Sequence, residues 1–320
     1  MSFATELTEA FGPERVSANA PLAPLTTFKV GGNADWLITI RAADEIARAI
    51  RIAQDHRVAV TVLGGGSNVL VADEGVAGLV IRIHGGEVRQ IDDATVRADA
   101  GVTINGLVRW TIAHGLAGVE AWAGTPGTVG GAVYGNAHFR GRLVSELVKS
   151  VTLLSPIGQL TTVPSADMEF GYDYSRLHRT REIVAAADFN VTRGDPDRLR
   201  DTARESLAFR KRTQPLEKSS AGCIFQNPDP QRDCVPEGIP LSAGALVDRA
   251  GLKGAALGAA HVSTRHANFI VSDGGATASE IARLIERCRD EVRRQFGVEL
   301  RDEIVRLGAS VKGPHVDSQG

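Results

Sequence analysis

Thiols are scarce: Cys223, Cys234 and Cys288 are the only three in 320 residues. An odd number with no CxxC spacing argues against a disulfide framework and against a structural zinc site. Charge of one sign is lacking too, since 36 Lys and Arg stand against 38 Asp and Glu, for a net charge of −2. With both signs interspersed, no net field favours nucleic acid or an anionic membrane, and a polyanionic ligand has to be met by local groups. No uncharged apolar run approaches the ~18 residues of a membrane span. The N-terminus, MSFATELTEAFG, carries Glu6 and Glu9 where a signal peptide has a basic start and an apolar stretch, so a cytoplasmic location is expected. The eight histidines show no recognised ligand spacing, and no metal is expected. Repeats and low-complexity tracts are absent, and no obligate protein partner is indicated.

What is present is a globular pattern. An apolar content of 43% suffices for a sizeable core divided among two or three domains. DEIARAIRIAQDH, from Asp44, places Ile46, Ala49, Ile50 and Ala53 on one helical face. VAVTVL (58–63) reads as a strand running into GGGSNVLV, and LVIRI (79–83) as the next. VRQI and TVRA flank Asp92-Asp93 as a hairpin; SVTLL and LTTV flank Ser155-Pro156-Ile157-Gly158 as another. INGLVRWTIAHGL (104–116) predicts a helix ending near Gly115, EIVAAADFNVT (182–192) a strand, DRLRDTARESLAFRKR (197–212) a basic linker helix, and HANFIVS (266–272) a strand. The clearest helix is TASEIARLIERCRDEVRRQFG, with Thr277 and Glu280 as a capping box and Gly297 as the stop. The last ~12 residues, ending HVDSQG, read as a frayed tail.

Thirty-five glycines exceed average usage, and several cluster just after strands. Backbone without side chains can approach a pyrophosphate closely and converge N–H groups on it. GGGSN (64–68) and GTPGTVGG (124–131) have that potential together. Neither fits G-x-G-x-x-G opening a helix or G-x-x-x-x-G-K-[ST], which argues against Rossmann and P-loop sites.

TTFKVGG (26–32), LGGGSNVLV (63–71), AGTPGTVGGAVYGNA (123–137), SAGCIFQNP (220–228), SAGALVDRAGLKG (242–254), HANFIV (266–271) and LRDEIVRLG (300–308) stand in a fixed order. On these motifs the chain resembles the UDP-N-acetylenolpyruvoylglucosamine reductase (MurB) family. The resemblance implies an α+β protein: a two-lobed FAD-binding domain of the PCMH/vanillyl-alcohol-oxidase type, then an α+β substrate-binding domain. The expected divisions are 1–78 and 79–195 for the lobes, 196–296 for the substrate domain with its linker helix 197–212, and 297–320 for a returning strand and tail.

The implied activity is reduction of an enolpyruvyl ether on UDP-N-acetylglucosamine to UDP-N-acetylmuramate for peptidoglycan precursors, with FAD and NADPH as cofactors. Hydride addition leaves an enolate-like species that needs electrostatic stabilisation and then a proton. The family's proton donor is a serine; Cys223 stands there, and a thiol with an ordinary pKa of ~8.5 is a stronger acid than an alcohol. Read without the resemblance, a single cysteine is a small buried hydrophobe, and Cys288 on the apolar helix stripe is taken so. Glu303 matches the glutamate that polarises the enolpyruvyl group; by itself it reads as a surface acid beside Asp302 and Arg301. Flavin contacts are implied for Gly64, Gly65, Gly66, Ser67, Asn68, Gly124, Thr125, Pro126, Gly127, Thr128, Gly130 and Gly131. Tyr172, Gln226 and Asn227 are the implied substrate contacts, although Asn227-Pro228 also reads as a plain turn.

Two places depart from the pattern. The family has Tyr-Arg-x-Ser with the arginine at the enolate, whereas here the order is Tyr172, Asp173, Tyr174, Ser175. Arg176 is the nearest cationic substitute. The usual Asn-Ala-Gly-Ala-x-Gly is Asn136-Ala137-His138-Phe139-Arg140-Gly141. In RKRTQP (210–215), Arg210 and Lys211 are candidates for holding phosphate. An FAD-linked oxidase or dehydrogenase with another substrate, and a flavin-binding homologue impaired in turnover, are the alternatives.

Overall fold

A computed structural model describes residues 1–308; the tail expected at the C-terminus lies outside them. The chain forms two compact units, each assembled from separated stretches: Met1–Asn19, Asp35–Gly65 and Gly78–Arg210 in the first, and Ala20–Ala34, Gly66–Ala77 and the chain from Lys211 in the second. Each unit has its own apolar core.

In the first unit the expected helix forms over Ala43–Asp55 and buries Ile46, Ala49, Ile50 and Ala53. It accompanies a sheet in the order Val16–Pro21, Asn33–Ile40, Val76–Ile83, Val60–Leu63. Val60–Leu63 runs parallel to Val76–Ile83, with Leu63 opposite Arg82, so the first glycine segment leaves the end of a strand held by its neighbour. A second sheet of five strands takes the order Leu160–Pro164, Val148–Leu154, Ile183–Asn190, Thr95–Asp99, Val88–Asp92. Both expected hairpins lie in it and are antiparallel. Alternate residues of its central strands, among them Val96, Ala98, Val151 and Leu153, face the core. Ile104–Ala113 is helical with Thr103 Oγ1 accepting from the Gly106 N–H at 3.0 Å, and the linker helix spans Pro196–Thr213.

The second unit is organised on the helix Ala278–Phe296. Thr277 and Glu280 form the expected capping box, and Gly297 closes the C-terminus in the left-handed region at φ 69°. Ala278, Ile281, Leu284, Ile285, Cys288 and Val292 are buried, and the large apolar ones, Ile281, Leu284, Ile285 and Val292, are each worth about 1.5–3 kcal/mol relative to exposure. Packing of this stripe therefore outweighs helix propensity. Burial pushes the Cys288 thiol up to about 12, as befits an inert structural cysteine. Ala256–Leu257, Ala260–Val262 and Ile270–Ser272 make a small antiparallel sheet, and Val69–Val71 pairs in parallel with Val305–Leu307.

The strand expected over 266–272 forms only at Ile270–Ser272. Ahead of it the Phe269 N–H turns back to the His266 carbonyl at 2.9 Å, because Asn268 is engaged with another segment. Among the described residues no helix is long and apolar enough to cross a membrane.

Candidate active site

The first unit brings parts of the two glycine segments into contact. A Cβ built on Gly65 would stand 2.7 Å from Gly127 Cα, and one on Gly64 2.7 Å from Thr128 Oγ1. At Gly65 only backbone on backbone fits, and at Gly64 the Thr128 hydroxyl fills the place of a side chain. Gly124 and Gly127 take φ of 82° and 100°, which glycine adopts without the cost of a Cβ. Thr128, buried, caps the helix Val129–Tyr134, and Gly130 lies against Ala100. Asn105 fastens the segment from behind: Gly124 N–H donates to its Oδ1 at 2.7 Å, and its Nδ2 donates to the Thr125 carbonyl at 3.2 Å. Arg210 is buried with Nη2 donating to Thr125 Oγ1 at 2.7 Å and its guanidinium 3.7 Å from the Phe139 ring centroid. Pro126 and Gly131 are exposed on the same segment.

Gly66, Ser67 and Asn68 belong to the second unit. A side chain at Gly66 would collide with the Leu25 carbonyl, and its own carbonyl accepts from the Thr27 N–H at 2.9 Å. The TTFKVGG motif thus acts as a brace for the glycine run. Asn68 Nδ2 donates to the Glu303 carbonyl at 3.0 Å, and the Val305 N–H donates to the Asn68 carbonyl at 2.9 Å.

Glu303 is held from its other side as well. Phe225 and Asp302 form an antiparallel bridge, flanked by Glu303 N–H to the Ile224 carbonyl at 2.8 Å and Gln226 N–H to the Arg301 carbonyl at 2.9 Å. The half-buried Cys223 and Glu303 are therefore carried by adjacent, mutually bonded backbone segments. Asp302 is buried rather than a surface partner: Arg306 Nε donates to it at 2.7 Å and Arg289 pairs with it. Arg306 also reaches Glu286 at 2.8 Å. Burial raises the Glu286 pKa, but the hydrogen bonds from Arg289 and Arg306 outweigh it and hold the carboxyl below its usual range. This network fixes the Glu303 segment to the long helix.

Asn268 completes the clamp. Its Oδ1 accepts from the Phe225 N–H at 2.9 Å and its Nδ2 donates to the Phe225 carbonyl at 2.7 Å, while its own carbonyl takes the Ile224 N–H at 2.8 Å. Residues paired across a bridge of this kind point their own N–H and C=O away from the partner strand, and the Asn268 carboxamide meets both as a further strand would. Asn227, exposed, accepts from the Ala243 N–H at 3.1 Å.

In the first unit, segments 136–140 and 169–181 are laced together. Asn136 Nδ2 donates to the Gly171 carbonyl at 2.7 Å, and Ser175 Oγ to the Tyr134 carbonyl at 2.6 Å. Arg176 is committed locally: its Nε and Nη2 grip Glu182 at 3.0 and 2.9 Å, and Nη1 donates to the Asp167 carbonyl at 3.1 Å. His138 Nδ1 lies 2.9 Å from Asp173 Oδ1, and the half-exposed Tyr172 ring tilts against the imidazole at 4.8 Å. Arg140 sits 4.7 Å over the Phe209 ring.

Sequence reasoning missed Asn105 and Asn268 as positioning residues. The available signal was a polar amide inside an apolar helix or strand pattern, the residue type least expected in a core without a bonding task.

A family model described as UDP-N-acetylenolpyruvoylglucosamine reductase, C-terminal domain, matches residues 214–307, and one described as FAD binding domain matches residues 34–164. The UDP-N-acetylenolpyruvoylglucosamine reductase of Heliobacterium modesticaldum is 38% identical, over 94% of this chain and 92% of its own length. Reductase 2 of Symbiobacterium thermophilum is 36% identical, over 91% and 92%. The crystal structure of the reductase from Thermus caldophilus matches with a TM-score of 0.75 at 33% identity, covering 92% of this chain and 99% of that one.

Proposed function

Because the chain belongs to the UDP-N-acetylenolpyruvoylglucosamine reductase family, we propose that it reduces the enolpyruvyl ether of UDP-N-acetylglucosamine to UDP-N-acetylmuramate. NADPH is the proposed reductant and the cytoplasm the proposed location. The observation that carries the reading is the backbone pairing of the Cys223 segment with the Glu303 segment, tied through Asn68 to the first glycine run. FAD fits the glycine segments, where Gly64, Gly65 and Gly127 leave no room for side chains and Pro126 and Gly131 are exposed. We assign lobes to 1–78 and 79–195, substrate binding to 196–296 with its linker helix 197–212, and a returning strand and tail to 297–320.

Held by the glycine segments, FAD would supply the hydride-transfer chemistry between NADPH and the substrate alkene. The methylene carbon of that alkene takes the hydride, and the carbon bearing the ether and carboxylate becomes electron-rich and takes a proton. Cys223 supplies that proton from its thiol, and the resulting thiolate is reprotonated from water. Glu303 polarises the enolpyruvyl group. Gly64, Gly65, Gly66, Ser67, Asn68, Gly124, Thr125, Pro126, Gly127, Thr128, Gly130 and Gly131 hold the flavin in this reading, and Tyr172, Gln226 and Asn227 orient the substrate. Arg176 has to release Glu182 before it can place charge on the substrate.

The test is anaerobic absorbance at the flavin bands. NADPH should bleach them and UDP-N-acetylglucosamine enolpyruvate should restore them. Bleaching without return defeats the substrate assignment, and failure to retain FAD after reconstitution defeats the whole reading.

A further inference from the structure

Arg176 is engaged with Glu182, so it does not stand free to meet the charge that hydride addition leaves on the substrate. Two unusual positions meet in the first unit. His138 stands where the sequence pattern has glycine and Asp173 where it has arginine, and they lie 2.9 Å apart through Nδ1 and Oδ1.

Three observations set this pair apart from ordinary surface polarity. The backbone under it is strained, with Asn136, Arg140 and Asp173 at φ of 45°, 53° and 51°. Non-glycine residues persist in the left-handed region when surrounding contacts enforce it, and such positions cluster at functional sites. Here the contacts are Asn136 to Gly171 and Ser175 to Tyr134. Next, the Asp173 side chain is only 9% exposed, and its Oδ2 is buried with no hydrogen-bond partner among the described residues. A buried carboxylate oxygen left open marks a place that something other than the protein completes. Last, an ionised carboxylate only accepts, so Nδ1 is the donor and the ring is fixed in one orientation. The exposed Tyr172 ring lies against the same imidazole.

We propose that His138, held by Asp173, donates its Nε2–H in the cationic form to the carboxylate of the enolpyruvyl substrate, and so stabilises the negative charge that builds up as hydride arrives. Asp173 acts as the positioning residue, and its open oxygen receives a hydroxyl or water proton when the substrate is bound. The inference rests on the proposed reductase reading. Bonds and electrons balance as in that reaction, because His138 gives a hydrogen bond and retains its proton.

Stopped-flow measurement of the two half-reactions separates the roles. His138→Gln retains a hydrogen bond to Asp173 without the charge, and should slow flavin reoxidation by the enolpyruvyl sugar about 10²–10³-fold, the range for losing one preorganised donor to a developing oxyanion. Flavin reduction by NADPH should stay within about twofold, since that step places no charge on the sugar. His138→Gly should behave alike, and His138→Gly/Asp173→Arg, which restores the pattern's own pair, should recover most of the rate. Unchanged reoxidation in His138→Gln, equal slowing of both half-reactions, or no recovery in the double variant overturns the proposal. Parent protein whose flavin NADPH bleaches and the sugar leaves bleached defeats instead the reading on which it rests, and this proposal with it.

Discussion

Replacing Asn268 by alanine should both destabilise the second unit and disable the cysteine loop. Phe225 is 1% exposed, so its N–H and C=O are cut off from water, and the Asn268 carboxamide is bonded to both, at 2.9 and 2.7 Å. Each buried backbone group left without a partner costs about 1–3 kcal/mol. Partial entry of water into the vacated space offsets some of that, and the expected loss is about 2–4 kcal/mol, read as a fall in the urea midpoint at constant slope. Asn268→Asp is the sharper variant. It keeps an acceptor for the Phe225 N–H but presents an oxygen to the Phe225 carbonyl, so it should be no better than alanine despite its near-identical shape. The Ile224 and Phe225 bonds fix the residues immediately after Cys223, so residual folded protein should reoxidise its flavin about 10²-fold more slowly, the effect of a displacement near 1 Å at a reacting group. A loss below about 0.5 kcal/mol with normal reoxidation in Asn268→Ala would refute the clamp.

Gly65→Ala should purify with little FAD, because its Cβ would stand 2.7 Å from Gly127 Cα and neither backbone can yield cheaply; stoichiometric flavin in that variant contradicts the close-approach argument. Cys223→Ser should retain product formation within about tenfold, whereas Cys223→Ala should lose about 10²-fold or more, as seen by product assay. Arg176→Ala breaks the grip on Glu182; intact turnover there removes Arg176 from any charge-supplying role. Burial lowers the pKa of His266, His178 and His84, with Lys253 adding to the effect at His266 and Arg82 and Arg41 at His84. The unfolded chain therefore binds more protons as pH falls through the ordinary histidine value of ~6.5. Their stabilising contribution is whole above that pH and is lost progressively below it, so thermal unfolding should move down between about pH 6.5 and 5 and stay flat if these rings titrate normally.

Local elements were legible where every signal agreed. The helix Ala278–Phe296 has its capping box, its apolar stripe and its glycine stop in one continuous stretch, and the hairpins at Asp92-Asp93 and Ser155–Gly158 are marked by turn residues between antiparallel strands. The ordered motifs identified the family, since glycine spacing and the SAGCIFQNP loop are properties of the chain itself. The strand expected at 266–272 failed at its first half because Asn268 bonds to residue 225, a competition that no local window contains.

Local order, the glycine segments and the identity of Cys223 and Glu303 as candidates were settled by sequence, since each depends on neighbouring residues or on a motif read in line. Tertiary structure alone decided which of these groups meet. It joined Asn68 to residue 303 across the intervening chain, set Asn268 against Phe225, spent Arg176 on Glu182, and brought the two departures from the family pattern, His138 and Asp173, to within one hydrogen bond. Backbone hydrogen-bonding groups and buried charges must find partners when water is removed, and which partner is in reach is a property of the folded chain.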